Sequence, residues 1–301
     1  VHDQHRPGGG RILSGGTAQN LVSGAQTWAS LAVDTAGSVT LQASGGSLTA
    51  ATSASITIAN SLSAGDVSFV AFNTDGNDDF AIVFWKDVDP NTILYFNDNE
   101  WSGSALTSGE GSFAWDSGAS MLASGTVVRF SSLTLAGRSA SVGTISGYAG
   151  SFNLGTDDGV FCYRGSSAAA PTAFLAAIGN GTVANSFGSL TGTGLTDGDT
   201  AIRLTSGADI GQYKGARDGY LAVGYRALLN SMSNWDIQDA TGDQSSDSVV
   251  PDIPFSTTVF TFSSLATEPT TQASGINFSG VTSSQMNVAW TSGNGANRLI
   301  I

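Results

Sequence analysis

The stretch that decides the fold is residues 66–85, DVSFVAFNTDGNDDFAIVFW. Two apolar runs, VSFVAF and FAIVFW, lie on either side of a polar loop that extends from Asn73 to Asp79. Runs of this length that are rich in Val, Ile and Phe and bounded by Asp, Asn and Gly are typical of β-strands. The stretch therefore predicts two core strands joined by an acidic turn. Whether the turn also has a chemical role depends on the kind of protein that contains it.

Further strand-sized apolar runs follow along the chain, separated by turn residues about every ten positions, as in antiparallel sandwiches and barrels. Examples are TILYFND, GSFAWD, TVVRFSSL, GVFCYRG, AFLAAIGN, TAIRLTSG and STTVFTFSS. One stretch differs, because Leu221, Tyr225, Leu228 and Leu229 recur at a spacing near four, which indicates a helix. The predicted fold class is all-β, with antiparallel Ig-like β-sandwiches and one short helix near residues 216–232.

The composition favours a secreted or cell-surface protein. The 301 residues carry a net charge of −13, only 12% of them are charged, and 39 are glycine. An acidic surface repels nucleic-acid phosphates and anionic membranes, so we expect no nucleic-acid partner. No run of about 18 apolar residues occurs, so we expect no membrane span. The single cysteine, Cys162, cannot form an intramolecular disulfide, which is more typical of bacterial than of animal extracellular proteins.

The chain has no histidine after His5, and many catalytic sites depend on histidine. Both histidines, His2 and His5, lie within the first five residues, so a Ser-His-Asp triad or a multi-histidine zinc site has no partner in the body of the chain. Cys162 lies in the alternating stretch GVFCYRG, which predicts a buried thiol rather than a reactive one. Carboxylate-pair hydrolysis would need two facing acids, for which Glu100 and Glu110 are the candidates. We expect a protein that is not an enzyme.

The acidic turn has two interpretations. Oxygen-bearing side chains at alternate positions are the kind of ligand that calcium prefers. In the other interpretation these side chains bond nearby backbone amides, and Gly76 takes a positive φ. The stretch YFNDNEW, residues 95–101, repeats the acidic theme and would share an ion if both loops lay at one end of a sandwich, with Asp157 and Asp158 as further contributors. The candidate calcium ligands are Asn73, Asp75, Asn77, Asp79, Asp98 and Glu100.

The central region, residues 64–265, resembles a known family. The motifs are AGDVSFVAFNTDGNDDFAIVFWKDVDPNTILYFNDNEWSG at residues 64–103, then GEGSFAWDSG, DDGVFCYRGS, FLAAIGN and the pair Asn234-Trp235. They resemble the lamin-tail-like immunoglobulin-fold domain of exported bacterial proteins, with Asn91 where that family often has Gly. The resemblance implies a β-sandwich that accompanies repeats, adhesins or hydrolases and is not itself an established catalyst.

The two flanking regions resemble parts of other sandwiches. Residues 31–58, LAVDTAGSVTLQASGGSLTAATSASITI, resemble the last strands of bacterial Ig-like repeats. Residues 276–301, INFSGVTSSQMNVAWTSGNGANRLII, resemble the opening strands of a fibronectin type III domain, with Trp290 in the strand of the core tryptophan. The predicted organisation is a flexible N-terminus at 1–10, a partial Ig-like unit at 11–62, a central sandwich at 64–265, a linker at 266–275 and fibronectin-like strands at 276–301.

Two partial sandwiches at opposite ends allow three interpretations. The chain is a piece of a longer repeat protein, or its terminal strands complete the sheet of a neighbouring subunit head to tail, or the ends pack within one chain. A half-sandwich alone would expose an apolar face and open edges. The residues expected to form the donated strands are Ile276, Phe278, Met286, Val288, Trp290, Leu299 and Ile301.

These patterns predict a non-catalytic, extracellular structural or adhesive protein that forms a bacterial surface filament or layer. The alternative is the accessory region of an exported hydrolase, such as a phosphoesterase or nuclease, or a carbohydrate-binding module. A glycan partner would need exposed, coplanar aromatic rings. The tryptophans that either form such a platform or lie in the core are Trp85, Trp101, Trp115 and Trp235.

Overall fold

The structure is a computed structural model that describes residues 2–3, 13–14, 27, 31–33, 37–43, 45, 49–263, 271 and 274–292. The chain divides into two compact units, Val1–Thr261 and Phe262–Ile301. Much of the predicted N-terminal unit and of the linker at 266–275 lies outside the described residues, as do Leu299 and Ile301.

The described residues form 21 strands and two α-helices. The first seven strands are β1 (His2–Asp3), β2 (Leu13–Ser14), β3 (Ala32–Val33), β4 (Gly37–Val39), β5 (Leu41–Ala43), β6 (Ala51–Thr52) and β7 (Ile56–Ile58). The next nine are β8 (Val67–Asn73), β9 (Asp79–Phe84), β10 (Ile93–Asn97), β11 (Ser112–Asp116), β12 (Val127–Ser131), β13 (Ser139–Ala140), β14 (Thr144–Ala149), β15 (Gly159–Ser167) and β16 (Ala170–Gly179). Then come α1 (Val183–Ser186), β17 (Ala201–Arg203), β18 (Ile210–Tyr213), α2 (Ala222–Leu229), a 3₁₀ turn (Met232–Asn234), β19 (Trp235–Gln238), β20 (Ser274–Ser279) and β21 (Asn287–Thr291).

Strands β8 to β19 form two six-stranded sheets. The first sheet has the order β14-β11-β10-β15-β16-β17, and the second has the order β13-β12-β9-β8-β18-β19. Every pair of neighbouring strands is antiparallel except β16 and β17, which run parallel from Ala177↔Ala201 to Gly179↔Arg203. The predicted all-β antiparallel sandwich is therefore confirmed for the central region.

Aromatic side chains fill the space between the two sheets. The Phe80 ring on β9 lies 5.1 Å from Phe96 on β10 and 4.8 Å from Phe130 on β12, centroid to centroid. Phe84 on β9 stacks on Trp115 of the facing sheet at 5.7 Å. These five residues are fully buried. Because rings from both sheets are in contact, the core joins the sheets into one sandwich.

Each sheet is also covered on its outer face. Outside the first sheet, Phe161, Tyr163 and Phe174 of β15 and β16 pack with Phe187 and Leu195 from the loops that follow. Outside the second sheet, a segment that runs from residue 253 to 261 contacts β12 through Arg129 and β18 through Tyr213. There the Phe260 amide donates to the Gly125 carbonyl at 2.9 Å, and Phe255 and Phe260 are buried.

That covering segment corrects one strand prediction. STTVFTFSS, residues 256–264, is a predicted strand because of its apolar run, but within the described residues up to 263 the structure has no strand there. The segment contributes single hydrogen bonds, such as Thr261 N–H to the Arg217 carbonyl at 2.8 Å, rather than a ladder. The Phe260 side chain covers an existing sheet, and an apolar run alone does not distinguish such a covering segment from a strand.

The predicted helix is present as α2, which is shorter than the predicted range near 216–232. Tyr225 and Leu229 are its buried residues. The Tyr225 ring stacks on Trp85 of the second sheet at 5.3 Å and lies 5.1 Å from Phe260. Trp235 at the start of β19 donates its indole N–H to the Leu229 carbonyl at 2.7 Å. The helix therefore covers the outer face of the second sheet.

The strands before residue 60 are short and form small separate sheets. β4 pairs with β7, β1 and β6 flank β5, and β2 pairs with β3. The chain after β7 is fixed to the sandwich, because Asn60 donates to the Asp89 carboxylate at 2.6 Å and to the Asp87 carbonyl at 3.0 Å. Leu62 is buried two residues further on.

Neither α-helix in the described part of the chain has the length and hydropathy that a membrane crossing requires.

We predict that Phe80→Ala lowers the free energy of unfolding by about 3–5 kcal/mol, as large-to-small core substitutions of Phe do. The Phe80 ring is fully buried and contacts rings from both sheets. The measurement is chemical denaturation followed by tryptophan fluorescence. Leu135→Ala is the control, because Leu135 is 47% exposed and should change the free energy by less than about 1 kcal/mol. Equal effects of the two substitutions would contradict the assigned core.

Candidate functional site

The acidic turn between β8 and β9 is held by its own side chains. The Asn73 side chain accepts from the Asp75 amide at 3.2 Å and donates to the Asp75 carbonyl at 2.8 Å. Gly76 and Asp78 both have positive φ, 63° and 46°. Gly76 is left-handed as predicted, and Asp is among the residues that tolerate this conformation best.

The carboxylates of this turn also accept hydrogen bonds from distant loops. Asp75 accepts from the Gln244 amide at 2.8 Å, Asp79 from the Ser132 amide at 3.0 Å, and Asp78 from the Leu154 amide at 2.7 Å. Asn77 is exposed. One turn therefore fastens three other segments to the end of the sandwich.

Asp98, which follows β10, performs the same role nearby. Its two carboxylate oxygens accept from the Gly111 amide at 2.6 Å and the Asn153 amide at 3.0 Å. Asp158, which precedes β15, accepts from the Gly155 amide at 3.1 Å and the Gly159 amide at 2.7 Å. Together with Asp78 and Glu110, these residues form what we call the carboxylate end of the sandwich.

The charges at the carboxylate end interact with one another. Burial, with a smaller contribution from the charge of Asp158, raises the pKa of Asp78 and Asp98 from 3.8 to about 7. Burial raises the pKa of Asp158 to about 6. Burial and the charges of Asp158, Asp98 and Glu100 raise the pKa of Glu110 from 4.5 to about 7. The backbone amides lower the pKa values of the three aspartates, but the cost of burying negative charge is larger.

Glu110 differs from the three aspartates because one of its oxygens, Oε2, is buried without a hydrogen-bond partner. Glu100, the other acid of the predicted pair, accepts from the Thr107 hydroxyl at 2.8 Å. The structure therefore brings Glu100 and Glu110 within electrostatic range of each other.

The predicted calcium ligands are only partly brought together. The two acidic loops do lie at the same end, since Asp78 and Asp98 influence each other electrostatically, with Asp158 as the third contributor. Asp75 is directed to Gln244 instead. In the described part of the chain, no group of three or more His, Cys, Asp or Glu side chains has an arrangement that could hold a metal ion. Of the two interpretations of the acidic turn, the hydrogen bonds support the turn-stabilising one, and calcium binding is the alternative that a melting experiment tests.

The four tryptophans considered for a sugar platform lie in the cores. Trp85, Trp101, Trp115 and Trp235 are 7%, 9%, 0% and 3% exposed. Their indole N–H groups donate to Ser68, Thr191, Val142 and Leu229, respectively. These four rings therefore supply no exposed platform. Cys162 is also fully buried, which confirms the prediction of a buried thiol.

The second unit presents a different kind of surface. β20 and β21 form a two-stranded hairpin in which Phe278 lies directly opposite Val288. Side chains two positions apart in a strand share a face, so Ile276 and Trp290 lie on the same face as this pair. Ile276, Phe278 and Val288 are 63%, 58% and 40% exposed. We call these four side chains the hairpin face.

The turn of the hairpin continues the apolar surface. Val281 and Met286 are 66% and 55% exposed. The turn is closed by Thr282, whose amide donates to the Gln285 carbonyl at 2.8 Å. The opposite face of the hairpin is polar or small, with Asn277 opposite Ala289 and Ser279 opposite Asn287. The hairpin is therefore amphipathic, and its apolar side is open to solvent.

No family model, curated protein or solved structure matches the chain.

We predict that the protein is more stable at pH 5 than at pH 7.5. The folded state holds the protons of Asp78, Asp98, Glu110 and Asp158 more tightly than the unfolded chain, in which these groups titrate near pH 4. The free energy of unfolding therefore falls as pH rises from about 4 to about 7. Urea denaturation at several pH values measures this, and rising stability over that window would contradict it.

Glu110→Gln tests the contribution of one member of the carboxylate end. The substitution removes a carboxylate whose pKa is raised to about 7, so the pH dependence of the unfolding free energy should become shallower. Asp247→Asn is the matched control, because it removes a carboxylate from an exposed loop. If both substitutions change the pH dependence of the unfolding free energy equally, the assigned contribution of Glu110 is wrong.

We predict that calcium does not change the melting temperature at neutral pH. One oxygen of each carboxylate of the acidic turn accepts a hydrogen bond from a backbone amide, and the three amides belong to three different loops, so the carboxylates are oriented apart rather than around one ion. Melting curves in millimolar calcium chloride and in EDTA make the comparison. A rise of several degrees in calcium that disappears in Asp79→Asn would support the calcium interpretation instead.

Proposed function

We propose that the protein is a non-catalytic structural subunit that works outside the cell and assembles with further copies of itself through β-strand complementation. The observation that carries the proposal is the open hairpin face. Ile276, Phe278 and Val288 expose 63%, 58% and 40% of their surfaces in a unit whose described part has two paired strands. A two-stranded hairpin is marginally stable alone in water, and an exposed apolar face of this kind marks a contact surface.

The distribution of charge favours contact through two uncharged stretches, which lie before and after the sandwich in the sequence. Twenty-one of the 24 acidic residues and eight of the 11 basic residues lie between Asp66 and Asp252, so this stretch holds the whole net charge of −13. Residues 35–65 and 269–297 contain no charged residue. The acidic stretches of two copies repel each other, whereas the uncharged stretches do not. Like-charge repulsion thus directs association to the uncharged regions.

The test is the assembly state of the full chain. We predict that the wild-type protein forms higher oligomers or fibres, measured by light scattering on a size-exclusion column and by negative-stain microscopy. Phe278→Ser should weaken each contact by about 2 kcal/mol, since it removes most of one buried apolar side chain. That loss corresponds to a dissociation constant about 30-fold higher.

Met121→Ser is the matched control for Phe278→Ser. Met121 is 59% exposed, almost the same fraction as Phe278, and it lies in the first unit. Assembly of the Met121 variant should equal that of the wild type. A wild-type protein that stays monomeric at all concentrations, or a Phe278→Ser variant that assembles normally, would refute the proposal.

A further inference from the structure

The edges of the first sheet are protected against further strand pairing. At one edge, β14 carries a bulge opposite Ser112 and Ala114, and Gly147 within it has a φ of 60°. The Arg138 guanidinium lies over the Tyr148 ring of that strand, 3.6 Å from its centroid. Bulges and charged side chains of this kind prevent edge-to-edge association.

The other three edges of the sandwich are short, charged or covered. β13 has two residues, and β17 has three, of which Arg203 is paired with Asp197 at 2.8 Å. On β19, Asp236 is paired with Lys214 at 2.8 Å. The Gln238 side chain of β19 donates to the Val249 and Pro251 carbonyls at 2.7 Å and 3.0 Å. The sandwich therefore offers a poor site for a donated strand.

The pair formed by β4 and β7 is also short, with three residues in each strand, but within the described residues it carries no bulge and no ion pair. Val39 lies opposite Ile56, and Ile58 shares their face, so the pair is apolar on one side. Ile56 is 39% exposed. Within the described residues, β7 pairs with β4 alone, so its other edge has no partner strand. Neither strand carries a charged side chain.

The β7 strand is also held firmly by the sandwich. Only Ala59 separates Ile58 from Asn60, which bonds to Asp89 and Asp87. Lys86 donates to the Ser61 carbonyl at 3.1 Å. A strand added to β7 would therefore be connected to the sandwich through a short, hydrogen-bonded segment, as a structural joint requires.

We propose that β7 of one copy is the acceptor for the β20–β21 hairpin of a second copy, so that the hairpin extends the β4–β7 sheet and its apolar side chains lie beside Ile56 on one face. This inference rests on the proposed function and names the partner surface. Both surfaces are apolar, strand-paired and free of charge, and they belong to different units of the chain. An uncharged hairpin that adds to an uncharged open edge gains backbone hydrogen bonds and apolar burial without bringing acidic surfaces together.

Thiol cross-linking between two full-length variants tests the pairing. One variant carries Ile56→Cys and the other carries Phe278→Cys, and the native Cys162 does not interfere because it is buried and burial raises its thiol pKa. At about 10 μM protein, a short thiol-to-thiol cross-linker should join the two variants about 100-fold faster than non-contacting thiols, since docked groups have effective concentrations near millimolar. The control replaces Ile56→Cys by Ile93→Cys, because Ile93 is 40% exposed.

A second pair of variants gives an independent result. Ile56→Lys should reduce assembly of the full chain as strongly as Phe278→Ser, whereas Ile93→Lys should leave it unchanged. Circular dichroism melts show whether each variant is folded, and the cross-linking result decides the question if Ile56→Lys is unfolded.

The outcomes separate this inference from the proposed function. If Phe278→Ser blocks assembly but the Ile56 thiol cross-links no faster than the Ile93 thiol, the acceptor lies elsewhere and only the inference is wrong. If the wild-type chain does not assemble, both are wrong. If a single chain that carries both cysteines cross-links internally at high dilution while the mixed variants do not, the hairpin covers its own chain and the inference is overturned.

Discussion

The central constraint on the structure is that β8 and β9 are apolar on both faces. Every residue of Val67–Asn73 and Asp79–Phe84 is buried. A sheet that contains such strands is stable in water only when material covers both of its sides. On the inner side that material is the other sheet, through the rings around Phe80. On the outer side it is α2 and the segment that carries Phe255 and Phe260.

The same constraint explains the carboxylate end. The loop between β8 and β9 emerges from a doubly covered layer, so its polar groups lie close to buried apolar surface. Asp78 and Asp79 are only 2% exposed, and each accepts a backbone N–H from another loop. Buried amides need such partners, because an unsatisfied amide costs about 1–3 kcal/mol. The carboxylates satisfy the amides, but burial disfavours their negative charge, which is why the pKa values of Asp78 and Asp79 are raised.

The sequence predicted the strands well where a strand is continuous and apolar. The runs at residues 66–73, 92–98 and 111–116 correspond to β8, β10 and β11 within one residue at each end. It did not predict β18, Ile210–Tyr213, whose Gly and Gln interrupt the apolar pattern although the strand lies inside the second sheet. Its place is set by pairing with β8, and long-range pairing leaves little local signal.

The candidate sites show the same division between local and long-range information. The positive φ of Gly76 and the alternation of Ile276, Phe278 and Val288 are local, and both were predictable. The meeting of Asp98 with Gly111 and Asn153 depends on the order of strands in the sheet. Spacing in the sequence therefore suggested ligands at alternate positions of one loop. The structure instead gathers single carboxylates from separate loops, and most of their oxygens bond backbone amides.

The two classes of sheet edge in this chain have opposite chemistry. The sandwich edges carry bulges, ion pairs or covering loops and belong to the acidic part of the chain, whereas β7 and the hairpin are uncharged and, among the described residues, have no further partner strand. Open apolar edges are hazardous in a protein that must stay monomeric, and soluble folds protect them. Because the sandwich of this same chain follows that rule at its own edges, the contrast supports the proposal that another strand covers the edges in the flanking segments. Under the proposed assembly, association is confined to the two uncharged stretches, because like-charge repulsion keeps the acidic sandwiches of neighbouring copies apart.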